Sequence, residues 1–309
     1  MINREEICAR LCLLTRAAWQ EELPPVLTRR MARRLFACGA AQSLVLRDVP
    51  GVEQELLERA RALLGRARQV YACMEDYEEQ GYSILIPQDE AWPRRLLSLG
   101  GEMPQFLFVM GNQALLSRRM AALAGSRSIL PQTMHAAYEC GKRMAEEGLV
   151  MVCGGAQGVD SAAQQGLLEA GGSLILVPAL SVHQLLRDTQ YAQALGEGRL
   201  LLVCDTLPDE PFSAQKALAR NHTIYALGEA AVVIAARDQA GGSWQGAMDC
   251  LRGGWTDVFA LDDGGEDTAG CRVLLERGAK RMSLELALRP QLFAGVQACQ
   301  MDMLGSESR

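Results

Sequence analysis

Three short glycine-containing turns carry the residues whose types and spacing suit chemistry here, and that chemistry is the capture of an anion. The first, Gly125–Ser126–Arg127, sets a hydroxyl and a guanidinium beside a small, flexible residue. Ser126 can donate a hydrogen bond or cap a following helix, and Arg127 can pair bidentately with a phosphate. A solvated loop arginine is the structural alternative. The second turn follows the apolar run 150–153 and places Gly154, Gly155 and Gly158 ahead of Asp160. Glycines let the chain turn tightly and let a ligand approach the backbone with no Cβ in the way. A helix opening at such a turn presents unpaired N–H groups at its positive end. Asp160 reads as the N-cap of that helix in preference to a catalytic acid. A third turn, Gly241–Gly242–Ser243, also opens a helix. Lys216 and Arg220 stand one helical turn apart, with Asn221 next, so the two cations share a face that suits the rim of the same groove or simply faces water. Glycine turns also join strands to helices for structural reasons alone. Three of them with nearby cations favour a phosphate-binding rim.

Composition narrows the classes. The chain has 309 residues, 49% of them hydrophobic, enough for one large domain and a smaller one. No apolar run approaches the ~20 residues that span a bilayer, and residues 1–22 are charged throughout, unlike a signal peptide. The ten cysteines lie apart with no CxxC pair, mostly in apolar segments, which points to reduced thiols and a cytoplasmic protein. His135, His183 and His222 lack metal-ligand spacing, so no metal is expected. Net charge is −6 but uneven: residues 1–72 hold 12 arginines against 8 carboxylates, and the remainder holds 19 basic against 29 acidic residues. An acidic bulk speaks against indiscriminate nucleic-acid binding and requires that any such binding use a local basic groove. Arginine must supply it, since Lys142, Lys216 and Lys280 are the only lysines.

The elements that must position these residues fall into three parts. Residues 1–72 read as all-helical, with apolar residues at helical spacing over 5–19 and 27–38, and a further helix over 53–65. The turn at Val49, Pro50 and Gly51 resembles a helix-hairpin-helix, which can hold a DNA phosphate on backbone N–H groups; a small helical packing module is the alternative. A linker over 81–104 includes a short strand at 82–87. From 120 onward, strands and helices alternate as in an α/β, doubly wound, Rossmann-like parallel sheet. Strands are predicted at 120–125, 149–154, 173–178, 199–204, 230–236 and 257–261, and helices near 132–147, 160–170, 184–195, 214–227 and 244–252. The strand segments lack alternation, as expected of parallel strands buried on both faces. Residues 284–309 read as a short helix and polar tail. Ligands of such sheets bind beyond the carboxyl ends of the strands, where all three turns lie.

The order of these motifs resembles the DprA/Smf family of bacterial DNA-processing proteins. That family has a G-S-R turn, then S-G-x-A-x-G-I-D, then R-N-R, then S-G-S-L-x-T-A. This chain offers Gly125–Ser126–Arg127, then Cys153 through Gly154, Gly155, Ala156 and Gly158 to Asp160, then Arg220–Asn221–His222, then Gly241–Gly242–Ser243. Asp89, Trp92, Pro93 and Leu96, followed by Pro104, Leu107 and Gly111, resemble the family's lead-in, and Gly270 with Leu274 to Ala279 resembles its final motif. The similarity covers about 82–283, with the helical segment 1–72 as a looser match to the family's N-terminal extension and no winged-helix segment at the C-terminus. The resemblance implies a non-catalytic, cytoplasmic protein of natural transformation (competence) and recombination. Such a protein binds and protects single-stranded DNA and loads the recombinase RecA, usually as a homodimer, without cofactor, metal or membrane. It places Gly125, Ser126, Arg127, Gly154, Gly155, Gly158, Arg220, Asn221, Gly242 and Ser243 at the DNA-phosphate rim, with Lys216 close to it.

Departures from the pattern bear on that expectation. His222 stands in place of the last arginine of R-N-R, and Gln164 in place of a histidine. Ala217–Leu218 replaces Phe-Pro, which removes an aromatic on which a base can stack, a contact worth ~1–3 kcal/mol. Ala236 replaces a glutamate, and Asp262–Asp263 replaces Pro-Gly, setting acids where they would repel a phosphate chain if they faced the groove. A divergent paralogue that has lost DNA binding, or a Rossmann-like nucleotide sensor, are the competing readings. The P-G-G-x-G-T-x-x-E start of the related phosphoribohydrolases and the G-x-G-x-x-G dinucleotide fingerprint are both absent, which disfavours hydrolase and NAD-enzyme readings.

Overall fold

The computed structural model describes residues 4–18, 22–39, 41, 46–48, 50–237, 241–262 and 264–282. The tail read at 284–309, together with Trp19, Val49 and Asp263, lies outside the described residues. Two compact units divide the chain: Met1–Gly111 with Val203–Glu210, and Asn112–Leu202 with Pro211–Arg309.

The first unit is built from α1 (Arg4–Leu14), α2 (Arg29–Ala37), α3 (Gln54–Leu64) and α4 (Ala67–Glu79), followed by β1 (Ser83–Leu85) and β2 (Leu107–Gly111). Helix α1 is buried along nearly its whole length, which obliges its polar residues to be paired. The Arg10 guanidinium lies 3.9 Å above the Phe36 ring and donates to Glu6 and to Gln105 Oε1 at 2.9 Å. Arg66, also buried, donates to the carbonyls of Cys12, Thr15 and Ala17 at and just beyond the C-terminus of α1, where helical geometry leaves carbonyls unpaired. Strands β1 and β2 pair antiparallel, and Phe108 of β2 packs edge-on against Tyr77 of α4 at 4.9 Å. The hairpin therefore shares its core with the helices, and this unit runs on to Gly111, past the break expected between 72 and 82. The expected hairpin of helices at Pro50–Gly51 takes another form: α2 ends at Ala37 and α3 begins at Gln54. Arg34 donates to the Gly51 carbonyl and pairs with the Glu53 carboxylate at 2.9 Å, so the N-cap residue of α3 makes no side-chain capping bond.

The second unit holds β3 (Met120–Ala124), α5 (Pro131–Glu146), β4 (Val150–Cys153), α6 (Val159–Glu169), β5 (Ser173–Leu176), α7 (Val182–Leu185), α8 (Thr189–Gly196) and all but the last two residues of β6 (Leu200–Cys204). It continues with α9 (Ala214–Leu227), β7 (Ala230–Val233), α10 (Gly242–Gly253), β8 (Asp257–Leu261), α11 (Ala269–Glu276) and β9 (Lys280–Met282). The strands lie side by side as β6-β5-β4-β3-β7-β8-β9, with parallel pairing throughout. Strands β4, β5 and β7 are wholly buried, in keeping with their unbroken apolar runs. Successive strands are laid down outward from β3 to β6, and the order then reverses to β7 on the other side of β3. That reversal is a topological switch point, where the connections leave in opposite directions and open a crevice at the strands' carboxyl ends. The helix expected over 184–195 is two helices, because the Asp188 carboxylate caps α8 through the Gln190 N–H at 2.9 Å. Among the described residues no helix is long and apolar enough to cross a membrane.

Removing the Arg66 side chain leaves three carbonyls at the end of α1 without their donor. Arg66→Ala is expected to lower the free energy of unfolding by at least about 2–3 kcal/mol, since each buried acceptor left unpaired costs ~1–3 kcal/mol. Urea unfolding monitored by circular dichroism measures the loss.

Candidate phosphate-binding cleft

At the switch point the carboxyl ends of β3, β4 and β7 meet the N-termini of α9 and α10 around a cleft of about 760 Å³. Of the residues singled out from sequence, Gly125, Ser126, Arg127, Gly154, Arg220, Asn221, Gly242 and Ser243 line it. Gly155 lines a smaller adjoining cleft of about 300 Å³, which shares Arg127, Gly154 and Arg220 with the larger one. Gly158 and Lys216 are not among the lining residues of either.

Local hydrogen bonds lock the strand ends together. The Ser126 N–H donates to Ala235 O at 2.9 Å, joining the ends of β3 and β7, and the Val159 N–H donates back to Ser126 O at 3.1 Å. Ser243 Oγ donates to Gly125 O at 2.6 Å, and Asn221 Nδ2 to Gly242 O at 3.0 Å, fixing the start of α10 against β3 and α9. The Tyr225 hydroxyl adds a bond to Ser243 O at 3.0 Å. Asn221 and Ser243 thus spend polar atoms bracing the cleft.

The glycine turn after β4 departs from expectation. Asp160 is not an N-cap: that position belongs to Gly158, whose φ of 84° suits glycine, and whose Cβ, if present, would lie 2.4 Å from Ser126 O. The Asp160 carboxylate instead turns back and accepts from the Gly154 and Ala156 N–H groups, each at 3.2 Å. The amide cradle read at this turn is therefore filled by the chain's own carboxylate, and Gly154 does not offer an open N–H. Burial pushes the Asp160 carboxyl up from its ordinary range; Arg220, the two N–H donors and Arg127 hold it down. Arg220, itself buried, donates through Nη1 to Val177 O at 2.9 Å. A Cβ on Gly154 would fall 1.5 Å from that same nitrogen, so the guanidinium packs directly on bare backbone.

Lys216 is also placed differently from expectation. Its ammonium donates to Pro211 O at 3.0 Å, and its N–H donates to Ser213 Oγ, the cap of α9, at 3.2 Å. Lys216 and Arg220 share a helix face, yet only Arg220 reaches the cleft. Of the two acids expected to repel a phosphate chain, Asp262 pairs with Arg281 and is not among the lining residues. His222 bonds Asp249 at 3.2 Å and packs on the Trp255 ring, bracing α9 against α10. Gln164 lies buried beneath the turn, donating to Cys153 Sγ at 2.9 Å and accepting from the Tyr191 hydroxyl.

Several lining residues escaped the sequence reading. Arg237, exposed at the end of β7, supplies a third guanidinium, and Phe212 and Trp244 give the cleft aromatic side chains despite Ala217–Leu218. Each follows or precedes a recognised motif by a few residues, a spacing that carries no signal by itself. Helix α10 begins without a side-chain cap, so its first-turn N–H groups at Gly242, Ser243 and Trp244 lie at the positive pole of a helix that opens onto the cleft.

A parallel sheet with its cleft at the switch point defines a Rossmann-like α/β protein. A family model described as DNA recombination-mediator protein A matches residues 83–288, and the chain belongs to that family. It is 29% identical over 254 residues to the DNA processing protein DprA of Streptococcus pneumoniae, covering 76% of this chain and 87% of that protein. A Mycobacterium tuberculosis relative is 26% identical over 240 residues, and the match spans 60% of that relative's length and 70% of this chain. The crystal structure of the S. pneumoniae protein superposes with a TM-score of 0.69 at 22% identity, covering 91% of this chain and 95% of the other. A structure of DNA processing protein A from Helicobacter pylori, reported for its single-stranded DNA binding mode, superposes with a TM-score of 0.56 at 23% identity over 72% of this chain and 96% of that one.

Asp160→Ala strips the acceptor from two amides of the turn and leaves Arg220 without its carboxylate neighbour. The relief of desolvation offsets part of this, so a net loss of about 1–3 kcal/mol in unfolding free energy is expected. Guanidinium titration of the two proteins side by side checks it.

Proposed function

We propose that this cleft binds the backbone of single-stranded DNA and that the protein is a non-catalytic, cytoplasmic recombination mediator. In this reading it acts as a homodimer that protects the strand and passes it to the RecA recombinase during DNA uptake. The observation that carries the reading is electrostatic. Arg127, Arg220 and Arg237 and the amide end of α10 surround the cleft, while Asp160, the one carboxylate among its described lining residues, is turned into the Gly154 and Ala156 amides. Guanidinium groups and a helix N-terminus are the donors that phosphates take. Membership of the recombination-mediator family supports the same reading, as does the likeness to a protein studied for single-stranded DNA binding. With an overall charge of −6, attraction for a polyanion must come from a local basic groove such as this one.

Fluorescence anisotropy with a labelled oligothymidylate tests it. Affinity is expected to fall steeply with salt, and Arg127→Ala to weaken binding and reduce the slope of log K against log salt by about 0.7, the increment for one phosphate contact on a single strand. Saturable binding of a mononucleotide, with no gain for oligomers, would assign the cleft to a nucleotide sensor instead.

A further inference from the structure

Helix α2 carries four arginines, Arg29, Arg30, Arg33 and Arg34, in nine residues and has no acid. Its apolar face is already occupied: Ala32, Leu35 and Phe36 are buried in the first unit, with Phe36 beneath the Arg10 guanidinium. What the helix presents outward is charge. At about 3.6 residues per turn, Arg30, Arg33, Arg34 and Ala37 fall within one sector of roughly 100° turned away from that core. Arg30, Arg34 and Ala37 are exposed and Arg33 is half-buried.

Two of the four cations are paired, Arg29 with Asp205 and Arg34 with Glu53, each at 2.9 Å. Arg30 and Arg33 pair with no acid among the described residues. Standing three apart on the helix, they are surface neighbours, about 5–6 Å between Cβ atoms. Arg30 also stands in the first turn of α2, where the helix dipole disfavours a cation. A Cβ on Gly101 would lie 3.4 Å from Arg30 Nε, so the guanidinium rests on bare backbone, and the adjacent Glu102 does not pair with it. An unpaired cation set against the dipole adds no stability, the pattern expected of a position kept for binding.

We infer that this face, built wholly within the first unit, binds duplex nucleic acid through its phosphate backbone. The inference goes beyond the single-strand reading of the cleft and does not depend on it. A lipid surface is a poor occupant, because a membrane-binding helix needs a free apolar face and that of α2 lies in the core. Single strands draw affinity from stacking on aromatic side chains as well as from charge, and the outward face of α2 carries no aromatic residue. Duplex is the ligand for which charge alone does most: it carries one phosphate charge per ~1.7 Å, and each one neutralised gives the steeper salt dependence. With only guanidinium groups facing outward, the contact is independent of sequence.

Anisotropy titrations of the full chain against a labelled blunt duplex and an oligothymidylate test this. Arg30→Gln combined with Arg33→Gln should weaken duplex binding by roughly tenfold or more at low salt and lower the slope of log K against log salt by about 1.8, the increment for two phosphates of B-DNA. Oligothymidylate binding should be unchanged. Arg68→Gln, at an exposed arginine of α4, should change neither. Arg30→Glu should abolish duplex binding yet leave the thermal midpoint unchanged or higher, because an acid suits the first turn. A fall in midpoint together with binding would make Arg30 a structural residue and overturn the site. So would failure of the wild type to bind duplex, equal loss on both ligands, equal loss in Arg68→Gln, or loss of duplex binding in Arg127→Ala. Binding of an oligoglutamate that the double variant loses, with duplex binding intact, would give the face to an acidic protein and overturn it too. The cleft reading stands or falls separately, on the oligothymidylate affinity of Arg127→Ala.

Discussion

The buried guanidinium of Arg220, packed on the bare backbone of Gly154 and facing the Asp160 carboxylate, is the contact on which the strand ends depend. Neither charge is stable alone at such depth: a buried ion without its partner costs several kcal/mol. Together they satisfy the turn from within, Asp160 taking two amides and Arg220 a carbonyl of the next strand's exit. The absence of a side chain at 154 is what allows the approach, so the glycine serves the protein's own arginine before it serves any ligand. Arg220 therefore presents an edge to the cleft from a fixed position, which on the proposed reading spares it reorganisation on contact with an anion.

Around that contact the polar residues divide their labour. Asn221, Ser243 and Tyr225 fasten the start of α10 to β3 and α9, which aims the positive end of the helix at the crevice. Lys216 fastens the loop carrying Phe212. His222 and Asp249 brace α9 on α10 behind the cleft. The groups left facing the opening are Arg127 and Arg237, both exposed, and the aromatic side chains. On the proposed reading, a braced frame with exposed cations at its lip suits a polymer with repeating charge.

Charge is distributed in keeping with that arrangement. The chain is acidic as a whole, yet Asp160, the one acid among the cleft's described lining residues, is engaged within the turn, and beyond the lining Asp249 pairs with His222 and Arg252 and Asp262 with Arg281. An acid removed from a groove by a structural partner repels a ligand far less than a bare one at the same distance. Two departures from the family pattern, His222 and Asp262, are taken up by such pairings.

The sheet was legible in the sequence because unbroken apolar runs separated by glycine turns have few other solutions, and five of the six expected strands and most helices fall within two residues of where the pattern puts them, while β7 ends at Val233, three residues short. Elements β2, α7, α11 and β9 were not read, because each lacks the long unbroken apolar run that marked the central strands. Sequence also located the phosphate-suited turns, because glycine and arginine at strand ends are a local chemical signal. What Asp160, Lys216 and Phe212 do was decided only by tertiary structure. Each choice turns on a side chain's reach to an atom remote from its own local pattern: a carboxylate folding back onto amides, an ammonium finding a carbonyl, a ring left at a lip. Local spacing says which groups are present; only the packed chain says which of them have already been satisfied by one another.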